Sequence, residues 1–567
     1  MNKRVFITLF LCLGTLTTLW AQAPKWLDKT RNAVFSLIAY DANGQLLHTG
    51  NGFFLTEDGV AIADYSIFEG AQRAVAVDTQ GKQLPVELIL GANEMYDVVK
   101  FKVNTGGKKV TALPMASQAP VSSNTVFLLP YSTQKGGEYA IGKLQQADKV
   151  EGSYQYYTLN LSLKDKMVSC PLVNIDGQVF ALAQKSSGAD STTVCYGVDV
   201  RFANDLQVGA LSYGDNSLTK IGIKKALPET EDDALAMLYM LSTQVELPAY
   251  LQLLNDFLDK FPTSADGYLR RANVQLAISQ DEASLRQVEA DLDAALRVST
   301  SKGEVYYDKA NIIYSYLGTN PDPVYKNWTV DTALQEVDKA IKEKPEPMFY
   351  QLKGDMLFSK GDYAGSYEAY NQVNQSNLVS ADSYYAAAKS KELLGDMEAA
   401  LSLMDQSIGR FTPPYTSEAG PYLLERARMR DAAGQSRQAL LDYDEYYKAV
   451  STQVGDGFYY LRGQTALRAR VFQRALDDFN EAIEMNPQEL TYYAELAVAQ
   501  LRVGQNNEAL EVLTRAEKID ANYSEIYRLR GLALIQLKRN SEACSAFQKA
   551  LELGNEEAQA LIEKYCK

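Results

Sequence analysis

The sequence predicts two parts in tandem, an all-β amino-terminal half followed by an all-α array of repeated helix pairs. Three observations carry this reading. At 567 residues the chain exceeds what one hydrophobic core serves, since cores stop growing at roughly 250–300 residues. From Asn32 to about Ala210, short β-branched and aromatic runs alternate with Gly, Asn and Asp. Beyond Asp232 apolar residues recur at helical spacing, in a unit that repeats after 34 residues.

The chain opens with Lys3 and Arg4, an apolar run from Val5 to Trp20, and the small-residue pattern Ala21-Gln22-Ala23. This is the form of a secretory signal peptide, expected over residues 1–23. The run is shorter than the roughly 18 apolar residues of a spanning helix, and no second run follows, so no membrane span is expected. Cys12 follows Phe10 and Leu11, which is unlike a lipoprotein signal. The mature protein is expected to be exported.

With 56 basic and 71 acidic residues the formal net charge is −15. Phosphate binding needs clustered Lys and Arg, so nucleic acid is excluded as an expected partner, and the acidity reads as ordinary solubility. Cys170, Cys195, Cys544 and Cys566 remain after export, one pair in each half, and both pairs are disulfide candidates. None has the C-x-x-C spacing of a zinc or redox site, and no metal or cofactor is expected.

Residues 24–211 carry the β segments "AVFSLIAYD", "GNGFFLT", "RAVAVDT", "VVKFKV", "VFLLPYS", "VFALAQ" and "TTVCYGVDV", the texture of a barrel or sandwich. A polar stretch, 212–232, is expected as a linker, and 233–555 as helical repeats.

In the repeats, Gly463, Ala475, Phe479, Ala482 and Pro487 keep offsets of 12, 4, 3 and 5. The pattern returns as Ala497, Ala509, Leu513 and Ala516, and again as Gly531, Ala543, Phe547 and Ala550. Upstream the same phase gives Gly354, Ser366, Tyr370 and Val373, then Ala388, Ala400, Met404 and Ser407, and also Ala427, Ala439 and Tyr443. Small residues let two helices approach, a large apolar residue fills the gap, and Gly or Pro marks the turn. The pattern resembles the tetratricopeptide repeat family.

That resemblance implies a superhelical solenoid of about nine helix pairs whose concave surface takes an extended peptide or a partner's helix. No oligomeric state follows from it. Ala310 and the run Ala333, Val337, Ala340 and Pro345 form a further unit with about 11 extra residues, "LGTNPDPVYKNWT", where Pro321 and Pro323 argue for a loop. Residues 233–300 read as irregular helix pairs, and 556–567 as a capping helix that Cys544 and Cys566 staple shut. The tyrosines of "VYYDKANIIYSY", "DSYYAAAKS", "GFYYLRG" and "LTYYAELA" read as interhelical core with a polar tip at the edge.

The order of β segments is more specific than their class. "GNGFFLTEDGVAIADYSIFEGA" resembles the strand-turn-strand of trypsin-like serine peptidases, above all their bacterial periplasmic branch, with Ser66 where the histidine base belongs. "EMYDVVKFKV" is similar to the strand of the triad aspartate, retained as Asp97. "KMVSCPLVNIDGQVFALAQ" is similar to the nucleophile segment through Pro171, Asn174 and Gly177. In that register Val168 replaces the serine and Lys166 the oxyanion-hole glycine.

The resemblance implies a double β-barrel without the chemistry. Acyl transfer by a hydroxyl needs an adjacent base and oxyanion donors. The one histidine of the chain, His48, lies before Gly50 on the strand leading into the site, whereas the family's base follows that strand. The expected function is a non-catalytic exported scaffold or adaptor, located in the periplasm either free or at the outer membrane. Two alternatives stay open: a peptidase with Ser169 as nucleophile and Lys164 or Lys166 as neutral base, which needs a buried lysine, and a structural subunit of an envelope assembly.

Overall fold

Side chains of a strand point alternately to its two faces, and two strands of the first barrel show this in their burial. β1 (Val34–Tyr40) and β6 (Val98–Val103) bury every second side chain over most of their length. In the computed structural model of the protein, the described residues are 24–566 apart from 135–137, 151, 186–192, 321–324 and 451–453. The expected signal peptide, Pro321 and Pro323 lie outside them. The chain divides into two units, Met1–Ser279 and Gln280–Lys567.

In the first unit, β1, β2 (Leu46–Phe54), β3 (Val60–Ala63), β6, β5 (Gln83–Asn93) and β4 (Arg73–Val77) close a six-stranded antiparallel barrel in that order. The second barrel runs β10 (Pro171–Val173), β11 (Val179–Lys185), β12 (Val194–Asp199), β9 (Gln155–Asn160), β8 (Ala140–Lys149) and β7 (Thr125–Leu128), closed by pairing of β10 with β7. Phe35, Phe54, Phe68 and Phe101 fill the first barrel. Tyr157, Phe180, Leu172 and Leu182 lie in the core of the second. Closure removes the exposed edges that open sheets must otherwise protect.

The expected linker, 212–232, is a correction. It is packed on the first barrel through Leu218, Ile221 and Ile223. The Gly222 N–H donates to Ala71 O at 2.8 Å and the Ala226 N–H to Ile89 O at 2.8 Å. Alternating apolar residues at 221 and 223 make this a buried extended segment, a signal hidden among Asp215, Asn216, Lys220 and Lys224.

Two one-turn helices, α1 (Leu27–Thr30) and α2 (Asn216–Thr219), accompany the barrels. The first unit also holds α3 (Glu231–Leu241), α4 (Leu247–Lys260) and α5 (Ala265–Ile278), packed through Met237, Leu238, Leu254 and Phe257. The division between units falls after Ser279, while the helices begin with α3, close to the expected start at 233.

The second unit opens with α6 (Glu282–Val298). Seven helix pairs follow among the described residues: α7 (Lys302–Thr319) with α8 (Val330–Glu343), α9 (Pro347–Ser359) with α10 (Tyr363–Asn374), α11 (Ala381–Leu393) with α12 (Met397–Ile408), and α13 (Gly420–Ala432) with α14 (Ser436–Val450). They continue as α15 (Asp456–Arg468) with α16 (Phe472–Met485), α17 (Leu490–Arg502) with α18 (Asn506–Ile519), and α19 (Ser524–Gln536) with α20 (Asn540–Glu552). α21 (Glu557–Tyr565) follows. This is the tetratricopeptide-type solenoid.

Local chemistry starts and stops these helices. Asp362 and Asp396 accept the N–H of the third residue of α10 and α12, and Ser380 forms a capping box with Ser383 on α11. First helices end on a left-handed residue: Gly361, Gly395, Gly434 and Gly504 at φ 75–81°, but Arg470 at 58° and Lys538 at 60°. A Cβ on Gly463 would come within 2.8 Å of the Phe479 ring, so the small residue is what lets α15 meet α16.

Candidate functional site

β3 ends at Ala63, Asp64 follows it, and the next turn buries Tyr65, Ile67 and Phe68 in the first barrel. That packing leaves Ser66 exposed toward the turn between β5 and β6, where Asp97 sits at φ 51°. Asp97 accepts from the Ser66 N–H through Oδ1 at 2.7 Å and from Ser66 Oγ through Oδ2 at 3.2 Å. Gln184, on β11, donates from Nε2 to Tyr96 O at 2.7 Å, and the Tyr156 hydroxyl donates to Gln184 Oε1 at 3.1 Å. Ser66 and Asp97 thus meet, with Ser66 supplying donors where a base would supply an acceptor for the nucleophile's proton.

Val168 follows a tight turn, Asp165–Met167, and is half-buried. The turn consumes the Met167 N–H, donated to Lys164 O at 2.8 Å, and the Val168 N–H, donated to Asp165 O at 3.3 Å. Asn51 Nδ2 donates to the carbonyls of Val168, at 2.8 Å, and Lys166, at 3.2 Å. The loop presents carbonyl oxygens inward to Asn51, whereas an oxyanion needs N–H donors.

Ser169 is fully buried at φ 64°, and its Oγ accepts from the Asp64 N–H at 2.8 Å. Lys164 is exposed, and Lys166 is exposed and 3.7 Å from Glu138. A lysine becomes a neutral base only when desolvated, and these two are in water. His48 is exposed on β2 opposite Ala39.

Three residues at this junction escaped the sequence reading: Asp64, Asn51 and Gln184. Asp64 is 4 % exposed and its Oδ1 has no hydrogen-bond partner. Burial pushes its carboxyl well above the usual carboxylate range, the charge of Asp97 adds to this, and the Ser169 hydroxyl opposes it. The available signal was an acid directly after the apolar run Val60–Ala63.

Cys544 and Cys566 are joined by a disulfide, with Cα atoms 5.6 Å apart. Cys170 and Cys195, the other candidate pair, are free thiols buried in the second barrel, and burial pushes each up to about 12. Cys170 leads into β10 and Cys195 lies on β12, with β11 between. Two strand spacings are about 9–10 Å, beyond the roughly 7 Å a disulfide spans.

In the second unit the repeat signature forms the interhelical core. Ala475, Phe479, Ala482, Ala497, Ala509, Leu513, Ala516, Ala543, Phe547 and Ala550 are 0 % exposed. Gly531 lies under the Phe547 ring, and Pro487 stands between α16 and α17, where its carbonyl accepts from the Tyr493 hydroxyl at 3.0 Å. The Tyr492 and Tyr493 rings are buried, and the Tyr492 hydroxyl reaches Asp456 at 2.9 Å.

The first helices are also tied along the array by ions. Lys389 pairs with Glu392 at 2.6 Å and Glu425 at 2.7 Å, and Arg428 pairs with the same two carboxylates. Burial would raise Glu392 and Glu425, but Arg428 and Lys389 hold both below the usual range. Arg468 pairs with Asp431 across the next interface. Lys389, Arg428 and Arg468 are thus already paired with carboxylates of neighbouring first helices.

The tetratricopeptide repeat model matches residues 460–524 and 494–558. A TPR repeat-containing protein of Methanocaldococcus jannaschii is 23% identical over 193 residues, 33% of this chain and 33% of that one. Small glutamine-rich tetratricopeptide repeat-containing protein 2 of Mycosarcoma maydis is 33% identical over 91 residues, 16% of this chain and 26% of that one. Mitochondrial import receptor subunit TOM70 of Rattus norvegicus is 23% identical over 242 residues, 41% of this chain and 39% of that one. The chain spans about a third of the length of the curated relatives it matches. Among the described residues no helix is long and apolar enough to cross a membrane. The chain carries tetratricopeptide repeats, and its amino-terminal part is a pair of closed six-stranded antiparallel barrels, consistent with a trypsin-like fold.

Proposed function

We propose that this protein is an exported, non-catalytic scaffold that binds a protein partner through its helix pairs and carries an inactive peptidase-like double barrel. One observation bears most of the weight: Val168 stands at the nucleophile position, and Asn51 holds its loop by the carbonyls of Lys166 and Val168. A hydrophobic side chain has no atom to acylate, and the Met167 and Val168 N–H groups are engaged by the turn rather than offered to an oxyanion. The disulfide between Cys544 and Cys566 fits an oxidising compartment such as the periplasm. Relatives that share the repeats include an import receptor subunit, in keeping with a role in recognising proteins.

The partner is assigned to the first-helix face of the repeats, where Leu393 and Leu461 are about half exposed. A photo-crosslinking residue at Leu393 or Leu461 tests this in native cells, with Leu441, on the second helix α14, as the control. The expected result is protein adducts at the first-helix positions and few at Leu441. Equal adducts at all three positions, or none, would count against the reading.

A further inference from the structure

One helix pair of the array departs from the rest. Ala310 and Ala333 are 23 residues apart where Gly463 and Ala475 are 12 apart, so α7 and α8 are joined by an insertion. Its described end folds back on the helices. Trp328 is 3 % exposed and meets Tyr316 of α7 and Tyr325 edge-on, each at 5.3 Å. The Tyr325 hydroxyl donates to Glu289 of α6 at 3.1 Å, and Lys326 pairs with the same carboxylate. The insertion is thereby fastened to both helices.

Between this segment and α6, α7 and α8 lies a cavity of about 340 Å³. That is near the small end of the range for small-molecule sites, roughly 300–1,000 Å³, and too little for a helix or a strand. Leu292, Ile313 and Trp328 supply its apolar wall, and Asp293, Lys309 and Gln335 are among its polar groups. Several of these polar groups are unengaged. The Trp328 indole N–H has no hydrogen-bond partner among the described residues, although a buried indole ordinarily finds one. Lys309 stands 3.6 Å from Glu336, too far for a hydrogen bond. Asp293 and Gln335 are exposed, with no side-chain partner among the described residues.

We propose that this cavity binds a single neutral sugar ring. The Trp328 N–H and the Lys309 ammonium need acceptors, whereas the Asp293 carboxylate needs donors and the Gln335 amide takes either. A hydroxyl both donates and accepts, so a ring that carries hydroxyls around its edge satisfies such a mixed lining. Its C–H faces pack on Leu292 and Ile313.

Charge separates this ligand from its rivals. A free carboxylate entering the cavity meets Glu289, Asp293 and Glu336. A free ammonium meets Lys309, and Glu289 and Glu336 already have Lys326 and Lys339 beside them. An uncharged polyol is opposed by neither sign. Among the described residues no three acidic, His or Cys side chains are grouped so as to hold a metal ion, so these carboxylates do not form a cage for one. The wall is also fixed in advance: the Thr332 hydroxyl donates to the carbonyls of Asn327 at 2.9 Å and Thr329 at 2.8 Å. A wall already ordered loses little freedom when the ligand arrives.

In the full chain carrying isotope-labelled tryptophan, the Trp328 indole N–H signal is identified by its loss in Trp328→Phe. Glucose, galactose, mannose and N-acetylglucosamine are then titrated singly, with leucine and putrescine as zwitterionic and cationic controls. The expected result is a saturable shift of the Trp328 signal with at least one sugar, none with either control, and an unmoved Trp26 signal. Asp293→Asn, at an exposed position, should weaken that binding by about tenfold or more. No shift with any of these sugars overturns the proposal, as does a shift with leucine or putrescine. A sugar-induced shift that Asp293→Asn leaves unchanged overturns the assignment to this cavity.

Discussion

Asn51, at the end of β2 nearest the second barrel's loop, donates its side-chain amide to the carbonyl of Val168 at 2.8 Å, joining the two barrels where catalysis would occur. The residue that fixes this loop is thus as distant from the peptidase pattern as the loop itself. Restoring two side chains does not release the Met167 and Val168 N–H groups from the turn that holds them.

The Ser66→His/Val168→Ser double variant should therefore remain inactive toward peptide esters and casein. Ser66 already engages Asp97, so the imidazole has its carboxylate partner, but the N–H of residue 168 is still committed to Asp165 O and not to an oxyanion. Removing one such donor from working enzymes costs roughly 10²–10³ in rate. Turnover clearly above the parent protein would show that the loop opens on its own.

Asp64 makes stability depend on pH. Its folded-state carboxyl titrates well above the usual range, whereas the unfolded chain titrates near about 3.9. Below that value both states hold the proton. As pH rises, the unfolded state gives up its proton first, so stability falls until the folded-state carboxyl also ionises. Tyr156 and Cys170, each pushed up to about 12 mainly by burial, stay neutral throughout, leaving Asp97 as the charge that faces it. Asp64→Asn should match the parent in urea melts near pH 4 and exceed it by about 1–3 kcal/mol near pH 7. A constant difference across that range would refute the assignment.

Two turns in the array carry avoidable strain. Arg470 and Lys538 adopt left-handed backbone where the equivalent positions hold Gly361, Gly395, Gly434 and Gly504. That conformation costs a non-glycine residue about 1–2 kcal/mol, part of which is offset by the added freedom of glycine in the unfolded chain. Arg470→Gly and Lys538→Gly should each stabilise the second unit by about 0.5–1 kcal/mol in thermal melts. Destabilisation by either would mean its side chain has a role the turn geometry does not reveal.

Phe479 fills the space over Gly463 and is fully buried between α15 and α16. Phe479→Ala should destabilise the repeats by about 3–5 kcal/mol and leave the barrels folded. Circular dichroism would separate an early helical loss from a later β transition. Loss of both signals in a single step at the parent's midpoint would contradict it.

The repeats were legible because each carries its own copy of the pattern, and Gly463 over Phe479 recurs as Gly531 over Phe547. The barrels were legible from segment order, and Ser66 meets Asp97 across a sequence separation of 31 residues. What stayed hidden depends on contacts between distant segments. Asn51 reads as part of a glycine-flanked strand until Lys166 and Val168 arrive beside it. The burial of Ile221 and Ile223 was masked by charged neighbours, and the distance between Cys170 and Cys195 depends on which strand lies between them.

The most direct test of the central claim is labelling of the full chain with a serine-directed fluorophosphonate. No labelling is predicted, because Val168 has no nucleophilic atom and Ser169 is buried with its hydroxyl engaged by Asp64. Stoichiometric labelling that Ser169→Ala abolishes would contradict the account.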